Sequence, residues 1–288
     1  MNVLAPAKIN LWLSVGPRRG DGYHEIVSVM QSLSLADDLT IDQATQTSIE
    51  IHPPDAAPED DTNLVVRATQ ALMAATGAAS GAAMRLHKRI PVGAGLGGGS
   101  ADAAAALVGL NELWRAGISR KALEKLGASI GADVPFCVRG GTALARGIGE
   151  DLTPLACPNM LSWVIASDGS SLPTAAVYAG FDALGGGAAA DPFPLADALS
   201  RGDVEAIAAS LGNDLTDAAL ALAPGMGNVR DALLEAGALG VVMTGSGSAW
   251  CALARDDEHA REIAGRAGET LAWCEVASSL AHGARIAR

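Results

Sequence analysis

Apolar residues recur at helical spacing in some parts of the chain and alternate with polar residues in others. In the stretch 63–77, Leu64, Ala68 and Leu72 recur every four residues and Gly77 follows, which predicts an amphipathic helix that ends there. The same criterion predicts helices that begin near Ser100 and at 119–130, 174–184, 203–211, 225–236 and 257–268. Runs of Ile, Val, Leu and Thr predict strands at 7–15, 27–35, 46–52, 82–90, 160–167 and 272–277, and a strand–turn–strand unit at 239–254.

The order of these elements predicts the fold class. Strands and helices mix without steady β-α-β alternation, so we predict an α+β fold with two lobes. Pro154 and Pro158 flank the predicted boundary, which divides the chain into domains 1–155 and 156–288. The glycine-rich stretch 185–194 is predicted to be a flexible connection within the second domain.

Charge limits the partners. The 288 residues include 32 acidic and 20 basic ones, so the net charge is −12 at neutral pH. Nucleic acids and anionic membranes bind basic patches that replace counterions, so we expect neither as a partner. No window approaches 18 apolar residues, and the first ten residues do not resemble a signal peptide. We therefore expect a cytoplasmic protein, in which any anionic ligand needs a local positive site.

Cysteine and histidine spacing gives no sign of a metal site. The four cysteines form no C-x-x-C pair, and the five histidines show no H-E-x-x-H spacing. The thiols are therefore predicted to be free, as in a reducing compartment, and no metal site made of protein ligands alone is expected. Composition does not separate a monomer from a homodimer.

The strongest chemical signal is the loop 93–99, in which five of the seven residues are glycine. Bare backbone lets successive N–H groups approach an anion closely, and the helix predicted to follow adds partial positive charge at its N-terminus. Ser100 can either cap this helix or turn its hydroxyl toward a phosphate or a metal ion. The loop is therefore the predicted phosphate site.

Two known nucleotide-binding motifs fit this loop poorly. A Walker loop needs lysine before the serine, and Gly99 occupies that place. Gly93, Gly95 and Gly98 match G-x-G-x-x-G, but residues 113–124 look helical where a dinucleotide-binding fold needs a second strand. An NAD-binding fold is therefore not expected.

Two further motifs place charged residues in unusual surroundings. Lys8 and Asn10 lie in the apolar strand PAKINLWL, and strand alternation puts both on one face. A lone lysine on a strand is usually solvated, whereas this one shares its face with an amide. Asp133 lies between Gly131 and Pro135 in GADVPF, on a short rigid turn that its side chain could simply cap. From these residues alone, Lys8 and Asp133 are either functional or structural.

Together these motifs resemble the GHMP kinase superfamily, named for galactokinase and for homoserine, mevalonate and phosphomevalonate kinases. Their order is the same, with PAKIN near the start, the glycine loop in the middle and TGSGSA (244–249) near the end. GDGYHEI (20–26), GADVPF and GLGGGSADAA narrow the resemblance to the kinases of 4-diphosphocytidyl-2-C-methyl-D-erythritol. The resemblance extends over nearly the whole chain, and only the stretch 185–200 carries no motif.

The resemblance implies a two-lobe GHMP kinase fold with the active site in the cleft between the lobes. It implies transfer of the γ-phosphate of ATP to the 2-hydroxyl of the erythritol, in non-mevalonate isoprenoid synthesis, with Mg²⁺ that enters with the nucleotide and can touch Ser100. Lys8 and Asp133 match the catalytic pair. Asp133 would accept the hydroxyl proton or orient the hydroxyl, and Lys8 would keep Asp133 ionised and neutralise developing charge.

The resemblance also implies two sets of binding residues, whose partners would be ATP and a polyol linked to cytidine diphosphate. The ATP-binding set is Asn63, Lys88, Pro91, Val92, Gly93, Ala94, Gly95, Leu96, Gly97, Gly98, Gly99, Ser100 and Ala101. The substrate-binding set is Asn10, Tyr23, His24, Thr174, Tyr178, Gly245 and Ser246, with Tyr23, His24 and Tyr178 at the cytidine. Loop amides, Lys8 and Lys88 would supply the local positive site that the net charge requires.

Two other functions remain open at this stage. Another GHMP kinase, of the homoserine or mevalonate type, would share the fold but would have no use for a Tyr–His pair at a base. A catalytically inactive member of the fold would act as a binding or regulatory protein, and the presence of Lys8, Asp133 and both glycine motifs argues against it.

Overall fold

The computed structural model describes residues 1–78 and 80–287 of the chain, and these contain both strands and helices. The strands are β1 (Asn2–Arg18), β2 (His24–Ala44), β3 (Ser48–His52), β4 (Gly81–His87), β5 (Thr142–Arg146), β6 (Asp151–Pro154), β7 (Ser162–Ser167), β8 (Gly212–Asn213), β9 (Gly240–Met243), β10 (Trp250–Ala254), β11 (Trp273–Leu280) and β12 (Arg285–Ile286). The helices are α1 (Leu64–Thr76), α2 (Gly98–Leu113), α3 (Arg120–Ala128), α4 (Val134–Arg139), α5 (Thr174–Ala183), α6 (Phe193–Arg201), α7 (Val204–Ala209), α8 (Thr216–Leu222), α9 (Met226–Glu235) and α10 (Asp257–Ala267).

The two longest strands, β1 and β2, form an antiparallel hairpin joined by the loop 19–23. Strands β4 and β5 pair with β2, and β3 pairs in parallel with β4. The register of the hairpin shifts between Pro6 and Lys8 and again between Asn10 and Trp12. Proline cannot donate to the ladder, and such irregularities re-aim the side chains beside them. The segment that carries Lys8 therefore lies between two interruptions of the regular strand pairing.

Strand β11 connects this part of the sheet to the strands of the second half. Ser279 and Leu280 pair with β2, whereas residues 273–278 pair with β7. Beyond β7 lie β10 and then β9, and β12 returns to pair with β1. Main-chain hydrogen bonds thus join both halves of the chain. The division at 155–156 stays a prediction and falls between the end of β6 and the start of β7.

Helix α2 is buried at the centre of the first half, where it packs against α1, α4 and β1. Residues 101–107 are buried throughout, and their alanines keep the helix thin enough to be covered on all sides. A Cβ atom at Gly109 would lie 2.5 Å from Cδ1 of Ile41 and 2.7 Å from Cγ2 of Val3. Only glycine therefore lets the helix approach the hairpin this closely, and this packing fixes the position of its N-terminus.

The structure confirms the predicted α+β class and corrects several elements. The strands predicted at 7–15 and 27–35 are the middle parts of much longer strands, and the strand predicted at 82–90 ends at His87, before Lys88. Helix α4, strands β5 and β6 and helix α8 were not predicted, because each is four to seven residues long, too short for periodicity to show. Helix α6 begins inside the stretch 185–194 that was predicted to be a connection. In the described ranges, no helix combines the length and apolar character that crossing a membrane requires.

Candidate active site

Two cavities meet at the glycine loop. The larger, of about 670 Å³, lies between the hairpin, the start of α4, helix α5 and the turn at 244–249. The smaller, of about 350 Å³, lies between the loop, residues 88–92 and residues 56–64. Gly95, Gly97 and Ser100 line both cavities, so a group held at the loop can be reached from either one.

Apart from Gly95, Gly97 and Ser100, which line both cavities, the predicted residues separate between the cavities by role. The larger cavity is lined by the predicted catalytic and substrate-binding residues Lys8, Asn10, Tyr23, His24, Asp133, Thr174, Tyr178, Gly245 and Ser246. The smaller is lined by Asn63, Lys88, Pro91, Val92, Gly93, Ala94, Gly95, Leu96, Gly97, Gly98, Gly99 and Ser100 of the predicted ATP-binding set. Ala101 is the exception. It is buried in the core, and its N–H donates to the Gly97 carbonyl at 2.9 Å.

The glycine loop adopts a backbone that other residues rarely adopt. Gly93, Gly95 and Gly97 have φ angles of 73°, 80° and 70°, in the left-handed region that favours glycine. Gly97 is the residue that precedes α2, so Ser100 lies in the first turn of the helix and does not cap it. The first helical bond comes from Ala101, which leaves the N–H groups of residues 98–100 without helical acceptors. Unbonded amides at a helix N-terminus are the kind of group that binds anions, and these lie at the junction of the cavities.

The turn at 244–249 supports the loop from behind. The N–H of Ala249 donates to the Ala94 carbonyl at 3.1 Å, and the Thr244 hydroxyl donates to the Gly95 carbonyl at 3.3 Å. A Cβ atom at Gly95 would lie 2.2 Å from the Thr244 carbonyl oxygen. The turn at 244–249 therefore holds the shape of the glycine loop as well as lining the larger cavity.

Lys8 and Asp133 form an ion pair in the wall of the larger cavity. Lys8 Nζ lies 3.4 Å from Oδ2 of Asp133, and the lysine side chain is only 5% exposed, whereas that of Asp133 is 34% exposed. Asp133 directly precedes α4 but makes no side-chain capping bond, so the capping role considered from the sequence is not what the structure shows. Its carboxylate remains available to a ligand.

Asn10 orients the lysine. Its Oδ1 accepts from Lys8 Nζ at 2.9 Å and from the N–H of Gly245 at 3.0 Å, and its Nδ2 donates to the Ser28 hydroxyl at 2.7 Å. The shared strand face predicted for Lys8 and Asn10 is confirmed by this contact. The amide of Asn10 is thus occupied in tying Lys8 to the turn at 244–249, although the residue also lines the cavity.

Aromatic and polar rings form the far end of the larger cavity. The Tyr178 ring lies 5.0 Å from the His24 ring between centroids, at an interplanar angle of 36°, and His24 Nε2 is 2.9 Å from Oδ1 of Asp182. Burial, followed by the negative charge of Asp133, raises the pKa of Tyr178 to about 12, so its hydroxyl is neutral at physiological pH. Tyr23 extends from the loop 19–23 and is 59% exposed. Flat surfaces for an aromatic ligand are thus present at this end.

Lys88 lies between two carboxyl groups, those of Asp37 and Asp102. Burial alone would lower the pKa of Lys88, but Asp102 and then Asp37 more than offset this effect and raise it. Asp37 also accepts from the N–H groups of Arg89 and Ile90, at 2.5 and 2.8 Å. Lys88 therefore fixes the wall of the smaller cavity, and its charge is neutralised. The local positive site predicted from the sequence is left to Lys8 and the loop amides.

Several residues at the site carried no signal in the sequence. Arg18, Ile148 and Asp182 line the larger cavity, but each is a single residue outside any motif. Thr244 belongs to the motif TGSGSA, yet its hydrogen bonds to Asn10 depend on a contact across more than 230 residues. Within the described part of the chain, no group of three or more His, Cys, Asp or Glu side chains could hold a metal ion.

Comparison with known proteins places this chain in a family. Residues 63–141 match the GHMP kinases N terminal domain, and residues 195–272 match the GHMP kinases C terminal. A 4-diphosphocytidyl-2-C-methyl-D-erythritol kinase from Pelotomaculum thermopropionicum is 46% identical over 268 residues, which cover 92% of this chain and 93% of that protein.

Solved structures of kinases have the same fold as this chain. A crystal structure of 4-(cytidine 5'-diphospho)-2C-methyl-D-erythritol kinase superposes with a TM-score of 0.81 at 37% identity and covers 97% of this chain and 99% of that one. A homoserine kinase from Cytophaga hutchinsonii has a TM-score of 0.76 and covers 99% of this chain and 96% of that one. At 21% identity, the homoserine kinase shows a shared fold alone.

This chain belongs to the GHMP kinases, whose two-lobe α+β fold it shares. Within that family, several 4-diphosphocytidyl-2-C-methyl-D-erythritol kinases are 41–46% identical to it over nearly their full length.

Proposed function

We propose that this protein transfers the γ-phosphoryl group of ATP to the 2-hydroxyl of 4-diphosphocytidyl-2-C-methyl-D-erythritol, a step in the non-mevalonate route to isoprenoid precursors. The activity is that of the relatives at 40–46% identity. The observation that carries the proposal is the junction of the two cavities at the glycine loop, where Lys8 and Asp133 line the larger one. A phosphate held at that loop is within reach of a hydroxyl in the larger cavity.

Each cavity suits one substrate. ATP would lie in the smaller cavity with its phosphates at the N–H groups that begin α2. The cytidine would lie at the far end of the larger cavity, against Tyr178 and His24, and the erythritol would extend toward Asp133. Homoserine and mevalonate carry no base, so this aromatic end of the cavity favours the cytidyl substrate over theirs.

Phosphoryl transfer depends chiefly on positioning and on stabilising charge. The 2-hydroxyl oxygen forms a bond to the γ-phosphorus while the bond from that phosphorus to the β,γ-bridging oxygen breaks, which leaves ADP. Asp133 accepts the hydroxyl proton or orients the hydroxyl, and Lys8, held by Asn10, places its positive charge beside the carboxylate. The loop amides stabilise negative charge on the transferred group.

Magnesium fits this arrangement as a companion of the nucleotide. Ser100 lines both cavities, and a hard oxygen atom such as that of its hydroxyl suits Mg²⁺. When bound, the ion would neutralise charge on the ATP phosphates. Ser100 would be its protein contact, and the other ligands would come from phosphate and water.

The cellular setting follows from the chemistry of the reaction. We place it in the cytoplasm, where ATP is abundant and where the four free cysteines would remain reduced. Every residue assigned a role comes from one chain, so either a monomer or a homodimer accommodates the proposal.

The test is an ADP-release assay with 4-diphosphocytidyl-2-C-methyl-D-erythritol, with homoserine and mevalonate as competing acceptors. We expect turnover with the cytidyl substrate alone, and loss of turnover on removal of Mg²⁺. Phosphorylation of homoserine or mevalonate instead would overturn the assignment. Binding of nucleotides without turnover of any acceptor would favour an inactive member of the fold.

A further inference from the structure

Helix α5 holds the His24 ring through side chains one turn apart. Tyr178 and Asp182 are four residues apart on this helix, so they project from the same face. The Tyr178 ring lies 5.0 Å from the His24 ring, and Oδ1 of Asp182 lies 2.9 Å from His24 Nε2. The His24 side chain is only 6% exposed, whereas that of Asp182 is 39% exposed. The Tyr178 ring and the Asp182 carboxylate thus both hold the imidazole in place at the aromatic end of the larger cavity.

The carboxylate determines which ring nitrogen carries the proton. An ionised carboxylate can only accept, so the contact requires a proton on Nε2 of His24. In the neutral ring, this leaves Nδ1 as a hydrogen-bond acceptor. Partners of the distal nitrogen set the tautomer and orientation of functional histidines in the same way at metal sites.

A His24 ring with its proton on Nε2 distinguishes cytosine from uracil. Cytosine carries an amino donor at C4, where uracil carries a carbonyl acceptor. An acceptor on His24 can therefore bind the amino group of cytosine and leaves the carbonyl of uracil unpaired. A binding site that leaves a buried polar group unpaired rejects the wrong ligand strongly.

We propose that Asp182 is a positioning residue that keeps the proton on Nε2 of His24 and so leaves Nδ1 to accept from the cytosine amino group. This inference rests on the proposed function and adds to it the residue that selects cytosine over uracil. It also makes base selection depend on both sides of the cavity, because His24 begins β2 and Asp182 lies near the end of α5.

The test compares the binding of CDP and UDP by calorimetry to the wild-type protein and to Asp182→Ala. The control is Asp191→Ala, which also removes a carboxylate from an ion pair, here with Arg146, but does not line the cavity. We expect the wild type and the control to prefer CDP by tenfold or more. In Asp182→Ala the ratio of the two dissociation constants should fall below threefold, because the ring is free to adopt the other tautomer.

A spectroscopic measurement covers the case in which Asp182→Ala is poorly folded. The ¹⁵N shifts of the His24 ring in wild-type protein at pH 8, assigned with the variant His24→Gln, report the tautomer directly. Nitrogen shifts that place the proton on Nδ1 would overturn the inference whatever the variant does.

The outcomes separate this inference from the proposed function. A wild-type protein that binds neither CDP nor UDP would overturn both. A folded Asp182→Ala that keeps the wild-type preference for CDP would overturn the role of Asp182 alone, because the base site would then be real but independent of the carboxylate.

Discussion

Nζ of Lys8 lies 3.4 Å from Oδ2 of Asp133, and the two side chains differ sharply in exposure, at 5% and 34%. The cation is thus buried behind the anion that faces the cavity. In the proposed reaction the carboxylate therefore faces the substrate, and the positive charge lies close behind it.

Loss of the Asp133 charge should impair chemistry more than binding. In Asp133→Asn, we expect kcat to fall by about 100-fold or more, the usual scale for a positioned acid–base group, while the Kd values for both substrates change little. Steady-state kinetics with calorimetry measure both quantities. The control Asp151→Asn removes a carboxylate at the start of β6, which lines neither cavity, and should leave kcat unchanged. A kcat within a few-fold of wild type in Asp133→Asn would reduce Asp133 to a structural residue.

The glycines of the phosphate loop should differ in their tolerance to alanine. A Cβ atom at Gly97 would lie 2.8 Å from Cγ of Lys8, and the φ of +70° already strains other residues. Gly97→Ala should therefore displace Lys8 and reduce kcat/KM for ATP by about 100-fold, as misplacement of a catalytic group by about 1 Å does. Gly99→Ala is the matched control, because its Cβ meets only Leu64, at 3.6 Å, and its φ is ordinary. Equal kinetics for the two variants would contradict this reading of the loop.

Tyr178 should matter for the cytidyl substrate and not for ATP. The ring lines the larger cavity, and stacking of a base on an aromatic ring is worth about 1–3 kcal/mol in nucleic-acid systems. We expect Tyr178→Ala to raise KM for the cytidyl substrate about tenfold or more and to leave KM for ATP nearly unchanged. Tyr178→Phe keeps the ring and should behave like wild type. Stacking of the base on Tyr178 would be contradicted if Tyr178→Ala raised the KM values for the cytidyl substrate and for ATP equally, or if it only lowered Tm.

The buried group around Lys88 should make stability depend on pH. Burial raises the pKa of Asp102 well above its usual range; Lys88 opposes this effect and Asp37 adds to it. The native state therefore holds the proton of Asp102 more tightly than the unfolded state does. The stabilising contribution of Asp102 is complete below the unfolded pKa, near 4, and is lost as the pH rises through the native pKa.

Asp102→Asn imitates the protonated side chain at every pH. We therefore compare the free energy of unfolding of the wild type with that of this variant. Above pH 4 the difference should fall by up to about 1.4 kcal/mol per pH unit, and it should level off above the native pKa of Asp102. Urea denaturation at a series of pH values measures it. A difference that stays constant or grows with pH would show that the carboxyl is not protonated in the native protein.

The sequence predicted those elements of the fold in which the apolar pattern extends over several turns. The helices at 64–76 and 98–113 extend over several turns, and their apolar spacing and glycine boundaries appear in the sequence. Helix α4 and strands β5 and β6 were missed, because each is only four to six residues long. The full lengths of β1 and β2 were also missed, because polar and charged residues interrupt the alternation that marks a strand.

The sequence by itself identified the glycine loop as a candidate phosphate site, and Lys8 and Asp133 as a candidate catalytic pair. Close backbone approach to an anion needs bare glycine, and a lysine beside an asparagine in an apolar strand needs a partner. Both requirements are local and therefore appear in the order of the residues. The tertiary structure alone decided what those residues contact. Lys8 meets Asp133 across 125 positions, Lys88 is paired with Asp37 and Asp102, and His24 is held by Asp182 from 158 positions away. Such contacts depend on how strands and helices pack, and packing brings together residues whose sequence separation carries no signal.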